Sequence, residues 1–475
     1  MQPINSQHFV TFILGIQSAT KHFFISLSRT MTAPRTIHNY LWDTIKYVTN
    51  ALMPNYLHRT TSHTAAHEDK LPRASFLDGL RGYASLVVFI SHFLDPFQPG
   101  KRFGYGYDQE NSWLLQLPII RLLYSGVPMV ALFFIISGYA LSLKPFLLIR
   151  SGSWGQFSDT IASAIFRRGL RLFLPTLVST FLVMISTRLR VQDFAGYSTL
   201  PGLIEERPRR FISHYDQLSD WCHFVIAELT NPWAWQVHNY VYDSHLWTIP
   251  IEFRASIILF LFITCISRFR PHLRLVLSCG LWAYCMWCNK WHVALFICGM
   301  CFADVPIEIG LSLQRTNPKK SLFFRLPLLT LGLFLLSFPI RNSSKTPGYI
   351  WLSIVTPKYT NWHTIGAILA FWTLTKSKEI QKIFTTSFSA YLGKISYAMY
   401  LVHGPVLHSF GYGTVSCIWS VFGKETTIQY QGGIILGFLL VTPVVFWWSD
   451  VFERLVDRPS VELARWLYLK GRISE

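Results

Sequence analysis

Charge is scarce in this sequence. Asp, Glu, Lys and Arg make up 14% of its 475 residues, against about one quarter in ordinary globular domains. That balance excludes a typical soluble enzyme. No Pro/Gly-rich linker, low-complexity tract or internal repeat is visible. Nothing therefore marks off a soluble catalytic domain, nor the repeated halves usual in transporters. No Gly-x-Ser-x-Gly stretch occurs, which removes the elbow that mounts many serine nucleophiles. Residues 1–30 lack a basic segment ahead of their apolar run, so no cleavable signal peptide is expected. Cysteine is also sparse. Six of the 8 cysteines lie in or beside apolar segments, which does not read as a disulfide framework. Cys285-x-x-Cys288 and Cys298-x-x-Cys301 have zinc-like spacing, but both fall in hydrophobic helical sequence, where cysteine behaves as a small apolar residue. No metal site is expected.

Apolar surface is what the chain has in excess: 51% of residues are hydrophobic and 16% aromatic. Runs long enough to span a bilayer recur about ten times. They fall near 77–97, 122–143, 171–188, 246–267, 273–289, 291–309, 322–340, 361–376, 388–411 and 432–453. The expected fold is all-α, a polytopic integral membrane helical bundle with about ten transmembrane helices. Residues 1–75 read as an N-terminal cytosolic tail with a possible interfacial helix, 76–455 as the transmembrane domain, and 456–475 as a basic cytosolic tail. The net charge is +18. Its basic residues cluster between apolar runs, so positive-inside topology explains them more simply than nucleic acid does. That rule puts both termini in the cytosol. A lipid bilayer is therefore a partner, nucleic acid is not expected, and the endoplasmic reticulum is the default membrane.

The run FLDGLRGYASLVVFISHF, 76–93, carries Asp78 and Arg81 near one end and His92 near the other. Ionisable groups within a span are expensive and point to function. Eleven residues turn a helix through about 1100°, some 20° past three full turns, and advance it about 16 Å. Arg81 and His92 thus share one face, with the arginine nearer the predicted cytosolic end. An interfacial arginine and a packed histidine would fit the same spacing.

The string LDGLRGYASLVVFISHF resembles the membrane acyltransferase-3 family, whose hallmark is Arg, ten residues, His. Family-like strings follow in order: VALFFIISGYALSLK (130–144), FRRGLRLFLP (166–175), SHLWTIPIEFRASIILFL (244–261) and LGKISYAMYLVHGPV (392–406). The wording is closest to fungal members. The resemblance implies roughly ten membrane helices and O-acyl transfer from acyl-CoA, often acetyl-CoA, to a hydroxyl. Acyl-CoA would be a co-substrate, with no permanently bound cofactor.

The residues suit that implication. A hydroxyl attacking a thioester needs a base, and histidine titrates near neutral pH; His92 is the candidate general base, and Arg81, toward the other end of the span, either binds a phosphate or positions the donor. Asp95 either orients the His92 ring or caps the interface beside Pro96, and Asp78 supports Arg81 from its own turn. Arg168 and Arg171 match the family's RxxR pattern and share a helix face. With Arg167 they form a cluster suited to the phosphates of CoA, or a positive-inside anchor. Ser137 lines the acyl tunnel in the family reading and is a packing residue in the plainer one. Glu252 is a carboxylate in an apolar run and must be paired or neutral; it meets either another helix or the acceptor. Tyr397, Tyr400 and His403 can share a face ahead of Gly404-Pro405, where the helix should break. They either support the site or hydrogen-bond between helices.

The expectation is a membrane O-acyltransferase moving an acyl group, acetyl above all, to a hydroxyl of a small lipophilic natural product such as a polyketide or terpenoid. A cell-surface or glycoconjugate sugar is the alternative acceptor. A transporter using His92 and Arg81 as a relay is the alternative of another class.

Overall fold

The computed structural model describes residues 75–193, 200, 202, 207–231, 240–304 and 318–472. The expected N-terminal tail thus lies almost wholly outside the described residues. All that follows concerns one compact unit of the chain, Ser62–Glu475.

The main helices are α1 (Ser75–Leu94), α2 (Gly126–Arg150), α3 (Trp154–Arg188), α4 (Thr248–Ile266), α5 (Pro271–Trp287) and α6 (Trp291–Asp304). They continue with α7 (Pro318–Leu336), α8 (Tyr359–Lys376), α9 (Ser387–Val406), α10 (Tyr412–Phe422), α11 (Thr427–Phe452) and α12 (Arg458–Gly471). The all-α class stands. Among the described residues, however, four helical stretches are long and apolar enough to cross a membrane, not about ten: Gly126–Arg150, Trp154–Arg188, Ser244–Ile266 and Thr427–Gly471. These make the chain an integral multi-pass membrane protein.

The count was too high because apolar runs were read without the length and polarity of the helices that hold them. Trp291–Asp304 has only 14 residues, about 21 Å of helix against a hydrocarbon core near 30 Å. Helix α5 stops at 17 residues. Helices α1 and α9 carry Asp78, Arg81, Lys394 and their histidines within 20 residues each. Helix α3 departs in the other direction. Its 35 residues extend the expected 171–188 span backwards, so the Arg167–Arg171 cluster falls mid-helix. The stretch read as a C-terminal tail contains α12, which packs on α3 through Phe166 and Tyr468 and through an Arg472–Asp159 ion pair.

Helices α1 and α9 pack against each other along their lengths, with α2 and α11 flanking them. Small residues permit this approach. A methyl group added at Gly82 would stand 2.5 Å from the backbone of Leu392 and Gly393, and one at Gly393 would stand 2.6 Å from that of Asp78. Ser85 reinforces the seam by donating to the Ser396 carbonyl at 2.8 Å. Helix α9 starts at a Thr386 cap, carries Pro405 in its last turn and runs into a π turn at Leu407–Gly411. The break expected at Gly404-Pro405 is thus a widening of the helix just past His403.

Gly82→Ala should wedge this seam open. Overpacking of this kind costs about 1–3 kcal/mol, so thermal unfolding of the detergent-solubilised protein should move down by several degrees. An unchanged transition would mean that α1 and α9 can separate without loss.

Candidate active site

Two clusters of polar side chains lie along the α1–α9 seam, one at each end of the face shared by Arg81 and His92. Around Arg81, a pocket of about 420 Å³ is lined by Phe133, Thr248, Glu252, Tyr397, Tyr400 and Arg81 itself. Glu252 is the centre of its wall. The Arg168 guanidinium donates to Glu252 Oε1 at 2.6 Å and, through Nε, to Ser256 Oγ at 2.9 Å. The Ser137 hydroxyl donates to the same Glu252 oxygen at 3.0 Å. Glu252 thus meets another helix, and its two-residue offset keeps Arg254 out of the pair. Arg168 is only 8% exposed, whereas Arg167 is half-buried and Arg171 exposed. The arginine cluster is therefore divided: Arg168 faces inward onto Glu252, and Arg171 outward.

Tyr397 and Tyr400 brace the pocket from α9. The Tyr397 hydroxyl donates to the Leu172 carbonyl at 2.6 Å, and the Tyr400 hydroxyl to the His245 carbonyl at 2.6 Å while meeting Thr248 Oγ1 at 2.6 Å. Tyr400 thereby connects the pocket to the second cluster.

That cluster is built from three histidines. His92 comes from α1, His403 from α9, and His245 from the 3₁₀ turn Ser244–Trp247 that leads into α4. One ring nitrogen of each lies within 4.8 Å of the others. Among the described residues this is the one side-chain group whose donor atoms stand close enough to share a cation, a proton included. His92 meets His245 edge-on with ring centroids 3.7 Å apart, and His403 stands 4.4 Å from His245 and 5.4 Å from His92. Each ring has a local acceptor at Nδ1. His403 donates to the Met399 carbonyl at 2.9 Å, His245 to Asp243 Oδ1 at 2.5 Å, and His92 faces Asp95 Oδ2 at 3.3 Å.

Asp95 also pairs with Lys101 and Arg102, each at 3.1 Å. Burial pushes the Asp95 carboxyl up, but its bond to His92 and the two cations outweigh that and hold it well below the usual carboxylate range. Asp95 thus contacts the His92 ring and also ties down the loop that follows. Asp78 lies in the first turn of α1, against Gly393, at the far end of that helix from the histidines.

Asp243 and His245 are the residues that sequence reasoning missed. The usable signal was Asp-x-His directly ahead of an apolar helix. Asp243 caps the 3₁₀ turn by accepting from the His245 backbone N–H at 3.2 Å, and the same carboxylate takes the ring. On the side of the histidines away from Arg81, a second pocket of about 300 Å³ is lined by Gln192, Arg207, Asp243, Gly404 and His408.

Residues 75–454 match a protein-family model described as an acyltransferase domain. The chain is 32% identical over 454 residues to the O-acetyltransferase PaAT-1 of Phomopsis amygdali, covering 84% of this chain and 85% of that protein. It is 27% identical over 465 residues to the acyltransferase R4 of a Phoma strain, covering 85% of this chain and 98% of that one. It is also 27% identical to the acyltransferase clz18 of Cochliobolus lunatus, covering 85% and 97%. No solved structure matches the chain.

Asp95→Asn should destabilise the protein, because it leaves buried Lys101 without its carboxylate; breaking such a pair costs about 3–5 kcal/mol. The folded-state carboxyl titrates below its unfolded value near 3.9. Its stabilisation is thus present above that value and fades only as pH falls through the folded one. The gap in thermal stability between wild type and variant should hold from about pH 7 to about pH 5 and narrow as pH falls below about 4. A gap that stays constant below about pH 4 in folded protein would show that the carboxyl is not held down.

Proposed function

The chain belongs to the acyltransferase-3 family, and from that premise we propose that it transfers an acyl group, acetyl in the first instance, from acyl-CoA to the hydroxyl of a small lipophilic natural product. The observation that carries this reading is the placing of two clusters on one helix: Arg81 lines a pocket near one end of α1, and His92 stands among imidazoles near the other. His92 is the general base: its side chain is 25% exposed, against 2% for His245. It takes the proton of the acceptor hydroxyl as the oxygen bonds to the acyl carbon. The C–S bond then breaks, and the CoA thiolate takes that proton back from the imidazolium. Proton and charge balance within the site.

Donor binding falls to the Arg81 end. Arg171 and Arg167 suit the phosphates of CoA through planar, charge-assisted bonds, and Arg168, held by Glu252, adds its charge from inside. Ser137 fixes the Glu252 wall against which the donor's arm lies, and Arg81 holds a phosphate of the donor so that the arm runs toward His92. The second pocket, at Arg207 and His408, offers the acceptor its own approach to His92. The family's positive loops favour the cytosol as the donor side and the endoplasmic reticulum as the membrane. The acetyl preference draws on the relative named as an O-acetyltransferase. The fungal sources of all three relatives lean toward a polyketide or terpenoid acceptor rather than a surface sugar.

The test is release of CoA thiol by the purified protein from acetyl-CoA, with and without hydroxylated lipophilic acceptors. Acceptor-dependent release is expected, and His92→Ala should lower it about 10²–10⁴-fold with acetyl-CoA binding retained. Solute flux without CoA turnover would replace the enzyme by a transporter. Arg167→Ala with Arg171→Ala should raise KM for acetyl-CoA far more than for acetyl-pantetheine, since each charge-assisted bond contributes about 1.5–3 kcal/mol. Equal losses with both donors would remove these arginines from phosphate recognition.

A further inference from the structure

The groups around His92 divide into two sets of opposite net charge. On its own side, Asp95 faces His92 at 3.3 Å, but two cations, Lys101 and Arg102, share that carboxylate and leave the set net positive, which offsets what Asp95 offers an imidazolium. On the other side, Asp243 and His245 are each 2% exposed, and Asp243 makes no ion pair with Lys or Arg among the described residues, although Arg207 and His408 line the same pocket. Asp243 Oδ2 is buried without a hydrogen-bond donor. A buried carboxylate in that state is costly unless positive charge develops nearby. His245 Nδ1–H points at Asp243, and the His245 ring touches His92 edge-on at 3.7 Å. Of the remaining groups, the His403 ring stands 5.4 Å from His92 with Tyr400 packed against the His403 ring, and the Tyr412 hydroxyl donates to the His92 carbonyl at 3.0 Å.

We propose that Asp243, acting through His245, is the counter-charge that makes His92 basic enough to take the acceptor's proton. Asp243 and His245 are positioning residues, and His92 remains the group that meets substrate. Asp95, despite its direct contact with His92, has a different task. It holds the following loop, and its charge is already spent on Lys101 and Arg102. A proton is also the cation that fits the spacing. Two imidazoles on one tetrahedral zinc would stand with centroids about 5 Å apart, wider than the His92–His245 contact. This inference rests on the acyl-transfer reading only for what the basicity serves; the charge arrangement itself can be measured without turnover.

The experiment reads the ionisation of His92 directly. Diethyl pyrocarbonate acylates neutral imidazole, so its rate of reaction with the His92 peptide, followed by mass spectrometry against pH, gives the midpoint for that ring. Asp243→Asn removes the charge and keeps the cap. Asp243→Ser does the same, serine being a good cap, and serves if the first variant folds poorly. Both should move the His92 midpoint down by about one pH unit. Where turnover with acetyl-CoA and a probe alcohol such as 1-decanol is measurable, kcat should fall about tenfold or more. KM for acetyl-CoA should hold, and the acid limb of the pH–rate profile should move the same way as the midpoint. An unmoved midpoint in a folded variant would overturn the proposal, even if turnover falls. One equivalent of bound metal per purified chain, lost in His245→Ala, would overturn it too. Absence of turnover in the wild type with a shifted midpoint would instead count against the acyl-transfer reading and leave the charge pairing standing.

Discussion

The ion pair between Arg168 and Glu252 is the interaction on which the rest of the site depends. Taking two such charges out of water carries a large desolvation cost, recovered only when geometry is good and the remaining lone pairs are used. Both conditions hold: the contact is 2.6 Å, Ser256 takes the second guanidinium donor, and Ser137 shares the carboxylate oxygen. The pair thereby joins α2, α3 and α4 at one level. It sets the wall opposite Arg81 and fixes the depth at which α4 enters the bundle. The turn at its start then carries His245 to the seam where α1 and α9 bring His92 and His403.

The two ends of the seam solve different physical problems. The Arg81 end gathers arginines around one buried carboxylate, and on the proposed reading it would attract and orient a phosphorylated donor. The histidine end gathers three imidazoles with the Asp95 and Asp243 carboxylates beside them. Separating them by roughly three helical turns, about 16 Å, lets a long molecule such as CoA keep its phosphates at one end while its thioester reaches the other.

Much of this was legible in the sequence because it obeys helical periodicity. The Arg81–His92 spacing and the Tyr397–Tyr400–His403 stripe needed only local geometry, and so did a disturbance at Gly404-Pro405, which the structure makes a π turn rather than a break. The need of Glu252 for a partner followed from its apolar surroundings, and its offset from Arg254 sent that partner to another helix. What stayed hidden is tertiary. Asp243 looks like any loop acid until the fold buries it, and no local pattern says that Asp95 will meet Lys101 and Arg102. The division of the arginine cluster into an inward and an outward side chain depends on where Glu252 arrives. The number of spanning helices was misjudged for a related reason. Apolar runs record where lipid or protein interior is tolerated, not whether the helix is long enough, or free enough of charge, to cross by itself.

The sealing of His245 and His403 has a consequence for energetics. Each is nearly inaccessible to solvent, and each turns Nδ1 to a protein acceptor, Asp243 for His245 and the Met399 carbonyl for His403. A charge that develops on either ring is therefore solvated by protein groups fixed in advance rather than by reorienting water. Such groups cost no reorganisation at the moment of reaction, and the same fixity makes the ring states sensitive to any change in those two acceptors.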